Sequence, residues 1–315
     1  MGIKFRLIVM NFLQYAIWGS WLISLGAYLG GGLDFTGLQI GSFFATMGVA
    51  SLFMPAVMGI IADRWIPAQK LLGICHLVSG GFLIAAASQT AYGPLYSCML
   101  LSVMFYMPTI ALSNSVAYNA LDLARLDTVK HFPPIRVWGT VGFIAAMWFV
   151  DLTHIGGVQI KLTEWQLYVS AVLSFLLAVY SFSLPGCPVD RNVKARSWVD
   201  TLGLRAFTLF KEKRMAIFFV FSMLLGAALQ ITNAFGDSYI QSFGSMPQYA
   251  DSAIVKHSVI LLSLSQMSET LCILLIPFFL RRFGIKKVML ISMLAWVLLS
   301  LIHISEPTRP EAISY

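Results

Sequence analysis

The chain has 315 residues, of which 58% are hydrophobic and 11% charged, and its mean hydropathy is +0.79. Soluble domains carry about 25% charged residues, so this composition excludes a soluble enzyme and a soluble nucleic-acid-binding module. The net charge of +7 must then come from how basic residues are placed along a membrane chain.

The segments Leu7 to Leu33 and Leu71 to Leu121 contain no Asp, Glu, Lys or Arg. The hydrocarbon core of a bilayer is crossed by roughly 20 apolar residues as helix. The second segment therefore holds two crossings, with a turn near "SQTAYGP". The spacing predicts spans at 5–30, 37–62, 71–90, 95–120, 136–153, 165–184, 215–240 and 255–280, with a ninth beginning at 288. The start, "MGIKFRL", runs directly into a stretch too long for a signal-peptide core and without a small-residue cleavage site. It reads as a permanent first helix. Arg6 stands where a myristoylation signal needs Ser or Thr.

Counted by alternate sides of these spans, eighteen of the 21 basic residues fall on the side of the N-terminus. The opposite side has Lys161 and Lys256. Short basic loops mark the cytoplasm, so the N-terminus is expected inside, and the positive charge needs no nucleic-acid partner. The longest loop, "PGCPVDRNVKARSWVDTLGLRAFTLFKEKRM", joins spans six and seven. Its basic, partly amphipathic character suits the inner leaflet.

Four cysteines (Cys75, Cys98, Cys187 and Cys272) show no paired spacing and are assigned no redox or metal role. No cofactor is expected. Asp151 and Asp237 are read as interface residues near the outer helix ends. His76 is read as a core or interface histidine.

Two turns match. "GIIADRWIPAQKLL" (Gly59–Leu72) follows span two and "FFLRRFGIKKVML" (Phe278–Leu290) follows span eight. Each puts a basic cluster into a very short turn at the same place in its set, which suggests two six-helix halves related as parallel repeats. "GIIADRW" resembles the loop signature of the major facilitator superfamily, with Ile66 and Pro67 where a later Gly is usual. The stretches "FLQYAIWGSWLISLGAYL", "HFPPIRVWGTVGFIAAMW", "KRMAIFFVFSMLLGAALQITNAFG" and "SQMSETLCILLIPFFLRRFGIKKVMLIS" resemble the bacterial nucleoside–proton symporters of that superfamily, the nucleoside permease type. The resemblance runs from the first helix to about Val297.

It implies an all-α polytopic membrane fold with a complete N-terminal six-helix bundle (1–184), a cytoplasmic linker (185–214) and a partial C-terminal bundle (215–298). Such symporters have twelve helices, so the chain is expected to stop within the ninth. Glu306, Pro307 and Arg309 interrupt that helix, and "LSLIHISEPTR" (Leu299–Arg309) resembles a translated transposon end and sequencing adapter. Residues 299–315 are accordingly read as a non-native tail.

Polar side chains inside membrane helices are costly and mark candidate functional positions. Arg136, Thr140 and Phe143 stand at i, i+4 and i+7. Gln230 and Asn233, and again Gln266 and Glu269, stand at i and i+3. Each set shares one helix face. By the resemblance these are the nucleoside-contacting positions. Amides and a carboxylate suit ribose hydroxyls, which both donate and accept; Phe143 offers a face for a base and Arg136 a polar partner for its edge. Other readings of the same residues stay open at this point: an interface charge for Arg136, backbone bonding for Thr140, packing for Phe143, and helix bridging for Gln230 and Asn233. Glu269, mid-span without a cation on its own helix, is the proton-coupling candidate. Asp63 and Arg64 are gating candidates. The pair Trp18 and Trp21 fits either a cavity wall or close helix packing around Gly19–Ser20.

The function implied is proton-driven nucleoside uptake by a monomer in the lipid bilayer of the bacterial inner membrane, with nucleosides and protons as its partners. A symporter of another neutral polyol, such as a sugar, is the alternative. A membrane-embedded enzyme ranks low, because no HExxH, GxSxG or P-loop is present. A sensor ranks low for want of a soluble output domain in the sequence.

Overall fold

The first expected span is broken in two. Helix α1 (Ile3–Gly19) ends where Gly19 and Ser20 meet, and the Ser20 hydroxyl donates to the Ala16 carbonyl at 2.8 Å. The chain then turns and resumes as a short helix, Leu25–Ala27, and a π-helical turn, Tyr28–Gly32. Gly/Ser pairs are common causes of such kinks. The computed structural model describes residues 2–189, 204–249 and 252–305.

The following helices are α2 (Gly37–Arg64), α3 (Ala68–Ala87), α4 (Tyr92–Leu123), α5 (Thr128–Leu152), α6 (Trp165–Ser181), α7 (Lys213–Ser242) and α8 (Ser258–Ser305). Thr36 caps α2 through a reciprocal box with Gln39. Helix α5 starts eight residues before the expected 136, carrying Pro133 and Pro134 in its first turns. Both lie past the first turn, where each removes a backbone donor from the helical ladder, so they stand within the helix and do not mark its start. Arg136 therefore stands inside the helix, not at its beginning. Gly284, at φ 72° and ψ 162°, interrupts α8 between the expected eighth and ninth spans. Positive φ is a conformation glycine adopts without steric cost.

Between α5 and α6 the chain makes a two-stranded hairpin, β1 (His154–Ile155) and β2 (Val158–Gln159). Gly156 and Gly157 form its turn at φ 60° and 85°, the Gly-Gly preference of two-residue hairpin loops. Of the expected linker, Leu204–Lys211 is a 3-10 helix, while 190–203 lie outside the described residues. The expected tail is helical as far as Ser305, and 306–315 lie outside the described residues.

The chain divides into two compact units, Met1–Met267 and Ser268–Tyr315. In the first, α1 packs along α5, α3 against α4 and α6, and α2 against α4. Glycines set the closest approach. A Cβ on Gly142 would strike the Phe12 carbonyl, and one on Gly19 would strike the Phe143 carbonyl. So α1 and α5 touch backbone to backbone, the small-residue packing that membrane helices favour.

Among the described residues, five helical stretches are long and apolar enough to cross a membrane: Gly37–Arg64, Ala68–Ala87, Tyr92–Leu123, Lys130–Leu152 and Lys213–Ser245. Large apolar side chains such as Leu52, Val179 and Leu77 point outward, as they do when acyl chains are the solvent. Polar residues are kept inside and joined. Gln14 donates to Thr109 Oγ1 at 2.7 Å, and its Oε1 meets His76 Nε2 at 2.8 Å. His76 also reaches Ser174 at 3.2 Å, and the Tyr106 hydroxyl donates to the Gln14 carbonyl at 2.7 Å. His76 is thus a fully buried core residue, bonded to α1 and α6.

Candidate substrate-binding site

A cavity of about 750 Å³ opens between α1, α2, α4 and α7, walled by Trp18, Phe44, Met47, Met107, Gln230 and Phe235 among others. Its walls are largely apolar. Two buried donors at it have no partner: the Trp18 indole Nε1 and the Gln230 amide Nε2. A buried N–H without an acceptor costs about 1–3 kcal/mol. Two on one cavity wall mark where an acceptor-bearing molecule would be held. Small-molecule sites have this character: concave, mostly apolar, with a few placed polar groups.

Trp18 connects the cavity to the predicted set on α5. Phe143, buried, meets its ring edge-on with centroids 6.4 Å apart, and Tyr106 lies 6.0 Å away on another side. One and two turns earlier on α5 come Thr140, buried, and Arg136, half-buried. The Arg136 guanidinium carbon sits 3.8 Å from the centre of the Tyr15 ring, a close cation–π geometry. The kink after Gly19 places Trp18 at the last turn of α1, so both readings of "IWGSW" hold: Gly19 packs and Trp18 lines. Trp21 is buried in the core.

The other predicted residues fall as follows. Asn233 is half-buried one turn beyond Gln230 on α7, and Gln266 is half-buried on α8. Glu269, in the second unit, is exposed. At the end of α2, Asp63 is exposed and Arg64 half-buried.

A second polar centre lies at the helix ends away from the N-terminus, where sequence reading placed only wet interface charges. Asp151, Asp237 and Lys161 are instead fully buried. Lys161 Nζ donates to Asp151 Oδ1 at 2.6 Å, to the Lys256 carbonyl at 2.8 Å and to Ser258 Oγ at 3.2 Å. His257 Nδ1 meets Asp151 Oδ2 at 2.7 Å. Ser258 Oγ donates to Asp237 Oδ1, and Gln241 donates to Asp237 Oδ2 at 2.9 Å. The Gly-Gly hairpin makes this possible, because it returns the chain so that Gln159 bonds both the Asp151 and Lys256 carbonyls (2.8 and 3.3 Å). Burial is tolerable because every charge has a counter-charge or several hydrogen bonds. No sequence motif signals the cluster, since its two halves, 151–161 and 237–258, lie about a hundred positions apart.

A bundle of membrane-length helices around a largely apolar cavity with a few placed donors, with α1 broken beside it, is the architecture of a secondary transporter. Known proteins agree in detail. The family model described as nucleoside H+ symporter matches residues 1–306. The xanthosine permease of Escherichia coli K12 is 53% identical over 298 residues, covering 95% of this chain and 70% of that protein. The nucleoside permease NupG of the same organism is 47% identical over 309 residues, covering 98% and 73%. The crystal structure of the nucleoside transporter NupG superposes with a TM-score of 0.82 at 48% identity, covering 95% of this chain and 72% of that one; a point mutant of it gives 0.86. The chain belongs to the nucleoside H+ symporter family, has the major facilitator fold, and is a multi-pass membrane transporter, not an enzyme.

Proposed function

We propose that this chain takes up nucleosides with protons across the bacterial inner membrane by alternating access. The observation that carries the substrate assignment is the cavity with its two unpartnered donors. A nucleoside supplies what these lack: carbonyl and hydroxyl acceptors on a flat, largely apolar ring system. Gln230 and Trp18 donate to the ligand, and Asn233 and Gln266 extend recognition along α7 and α8. Phe143 backs the cavity through Trp18, Arg136 lies two turns earlier on the same helix, stacked on Tyr15, and Thr140 adds a hydroxyl on the same face. Glu269 is the titratable member of the set and the proposed proton-coupling residue.

The N-terminus is proposed to be cytoplasmic, on the distribution of basic residues. The protein acts as a monomer in lipid. Residues 1–184 and 215–298 belong to the two halves that rock against each other, joined by 185–214, with 299–315 outside the native repeat. Asp63 and Arg64 lie at the inner turn, placed to hold one access state.

The test is uptake of labelled uridine, driven by an imposed pH gradient, by cells that express the protein and lack other nucleoside uptake. Saturable uptake competed by nucleosides and not by hexoses supports the reading. Competition by hexoses alone would replace it with sugar transport.

A further inference from the structure

The Trp18 indole N–H has no partner inside the chain, so no hydrogen bond fixes the direction in which it donates. That direction is set by the side chains its ring touches. Phe143 meets the ring edge-on, with centroids 6.4 Å apart and planes at 89°, and Tyr106 tilts against it at 6.0 Å and 53°. Phe143 is anchored by its own backbone, which touches α1 at Gly19. Tyr106 comes from α4, which packs mainly on α2 and α3. Its tie to α1 is a hydrogen bond: the Tyr106 hydroxyl donates to the Gln14 carbonyl at 2.7 Å. Gln14 stands four residues before Trp18, so this is the carbonyl that an α-helix pairs with the Trp18 backbone N–H. The tether thus reaches α1 at the turn that carries Trp18.

The anchor is itself braced. Gln14 Nε2 donates to Thr109 Oγ1 at 2.7 Å, and Gln14 Oε1 meets His76 Nε2 at 2.8 Å. Thr109 follows Tyr106 by one turn on α4 and donates to the Tyr106 carbonyl. The His76 ring meets the Tyr106 ring edge-on at 6.0 Å, and its Nδ1 meets Ser174 Oγ at 3.2 Å. Gln14, His76, Tyr106, Thr109 and Ser174 are all buried, and none of the five is among the residues that wall the cavity. A ligand in the cavity therefore meets Trp18 and not this network. Buried polar networks whose groups are paired rigidify what they hold.

We propose that Tyr106 is a positioning residue for nucleoside recognition. Its hydroxyl, bonded to the Gln14 carbonyl, keeps its ring against Trp18, and so holds the indole donor ready for an acceptor on the nucleoside. The network of Gln14, His76 and Thr109 keeps that bond in place. The proposal rests on the reading of the cavity as the nucleoside site. Tyr106→Phe is the informative change, because it keeps the ring and removes the tether, while the Gln14 carbonyl keeps its partner in the helix.

The test measures uridine affinity by calorimetry on the purified protein in lipid nanodiscs, for the unaltered chain, Trp18→Phe, Tyr106→Phe and the double variant. Tyr106→Phe is expected to weaken uridine binding about 3- to 10-fold, up to the worth of the hydrogen bond it aligns. In the Trp18→Phe background the same change should cost nothing further, because the donor it positions is gone. Losses that simply add overturn the proposal, since a hydroxyl that only supports packing acts whether or not the donor is present. Full affinity in Tyr106→Phe beside a weakened Trp18→Phe also overturns it and leaves the nucleoside reading standing. Full affinity in Trp18→Phe removes Trp18 from the site, and the proposal with it. Fluorine NMR of protein labelled with fluorotryptophan reads the positioning without any ligand. The Trp18 signal, assigned by its loss in Trp18→Phe, is expected to be single and narrow in the unaltered chain. In Tyr106→Phe it should shift and broaden while the other tryptophan signals hold. Several exchanging Trp18 signals in the unaltered chain overturn the proposal, and this arm needs no Tyr106 variant to fold.

Discussion

Lys161 Nζ lies 2.6 Å from Asp151 Oδ1, and both side chains are fully buried. Removing one partner of a buried pair leaves the other charge stranded, at a cost of about 3–5 kcal/mol. Lys161→Met is expected to lower the thermal midpoint in detergent sharply. The double variant Lys161→Met/Asp151→Asn is expected to recover part of that loss, because no isolated charge remains. Equal midpoints for Lys161→Met and the unaltered chain would show that the pair contributes nothing to the fold.

Backbone contact between α1 and α5 supports a second expectation. Gly142→Val pushes a branched side chain into the Phe12 carbonyl and should cost about 1–3 kcal/mol as overpacking. Gly81→Val on α3, where an added Cβ meets nothing within 4 Å, should cost far less. Comparing the two midpoints isolates the close approach from the general effect of valine in a helix.

For recognition the structure separates binding from stability. The Gln230 amide nitrogen has no protein partner, so Gln230→Ala orphans nothing inside the chain. Its thermal midpoint should stay near that of the unaltered chain. Uridine affinity should fall about 10-fold, the worth of one hydrogen bond of about 1–1.5 kcal/mol. Trp18→Phe, which keeps a ring and removes the donor, should behave likewise. Unchanged affinity in both, measured by calorimetry, would move the ligand elsewhere.

Glu269→Gln distinguishes ligand contact from coupling. As the coupling residue, its amide variant should keep nucleoside binding and lose the pH dependence of uptake. Collapse of binding with the proton dependence intact would make Glu269 a ligand contact only.

The helices were legible because each alternates long apolar runs with short charged turns, and α2, α3, α4, α6 and α7 stand within a few residues of where hydropathy puts them. The break after Gly19 was not, since an uninterrupted apolar run carries no mark of a kink beyond a Gly-Ser pair. Nor was the early start of α5, because a Pro-Pro pair reads as a helix boundary, whereas Pro133 and Pro134 stand within the helix. Of the proposed site, Gln230 lines the cavity and Phe143 packs on Trp18, which also lines it; spacing alone placed each on a helix face and left packing or bridging open. The cluster at the helix ends away from the N-terminus escaped because Asp151, Lys161, Asp237 and His257 each look like an ordinary loop or helix-end charge. Only the hairpin's return brings them together.

The central claim, nucleoside uptake coupled to protons, is tested most directly by labelled uridine entry under an imposed inward pH gradient in cells that express the protein and lack other nucleoside uptake. Saturable entry that stops with a protonophore and is competed by unlabelled nucleosides, with glucose without effect, is the expected result. Entry indifferent to the gradient, or displaced by glucose and not by nucleosides, would contradict it.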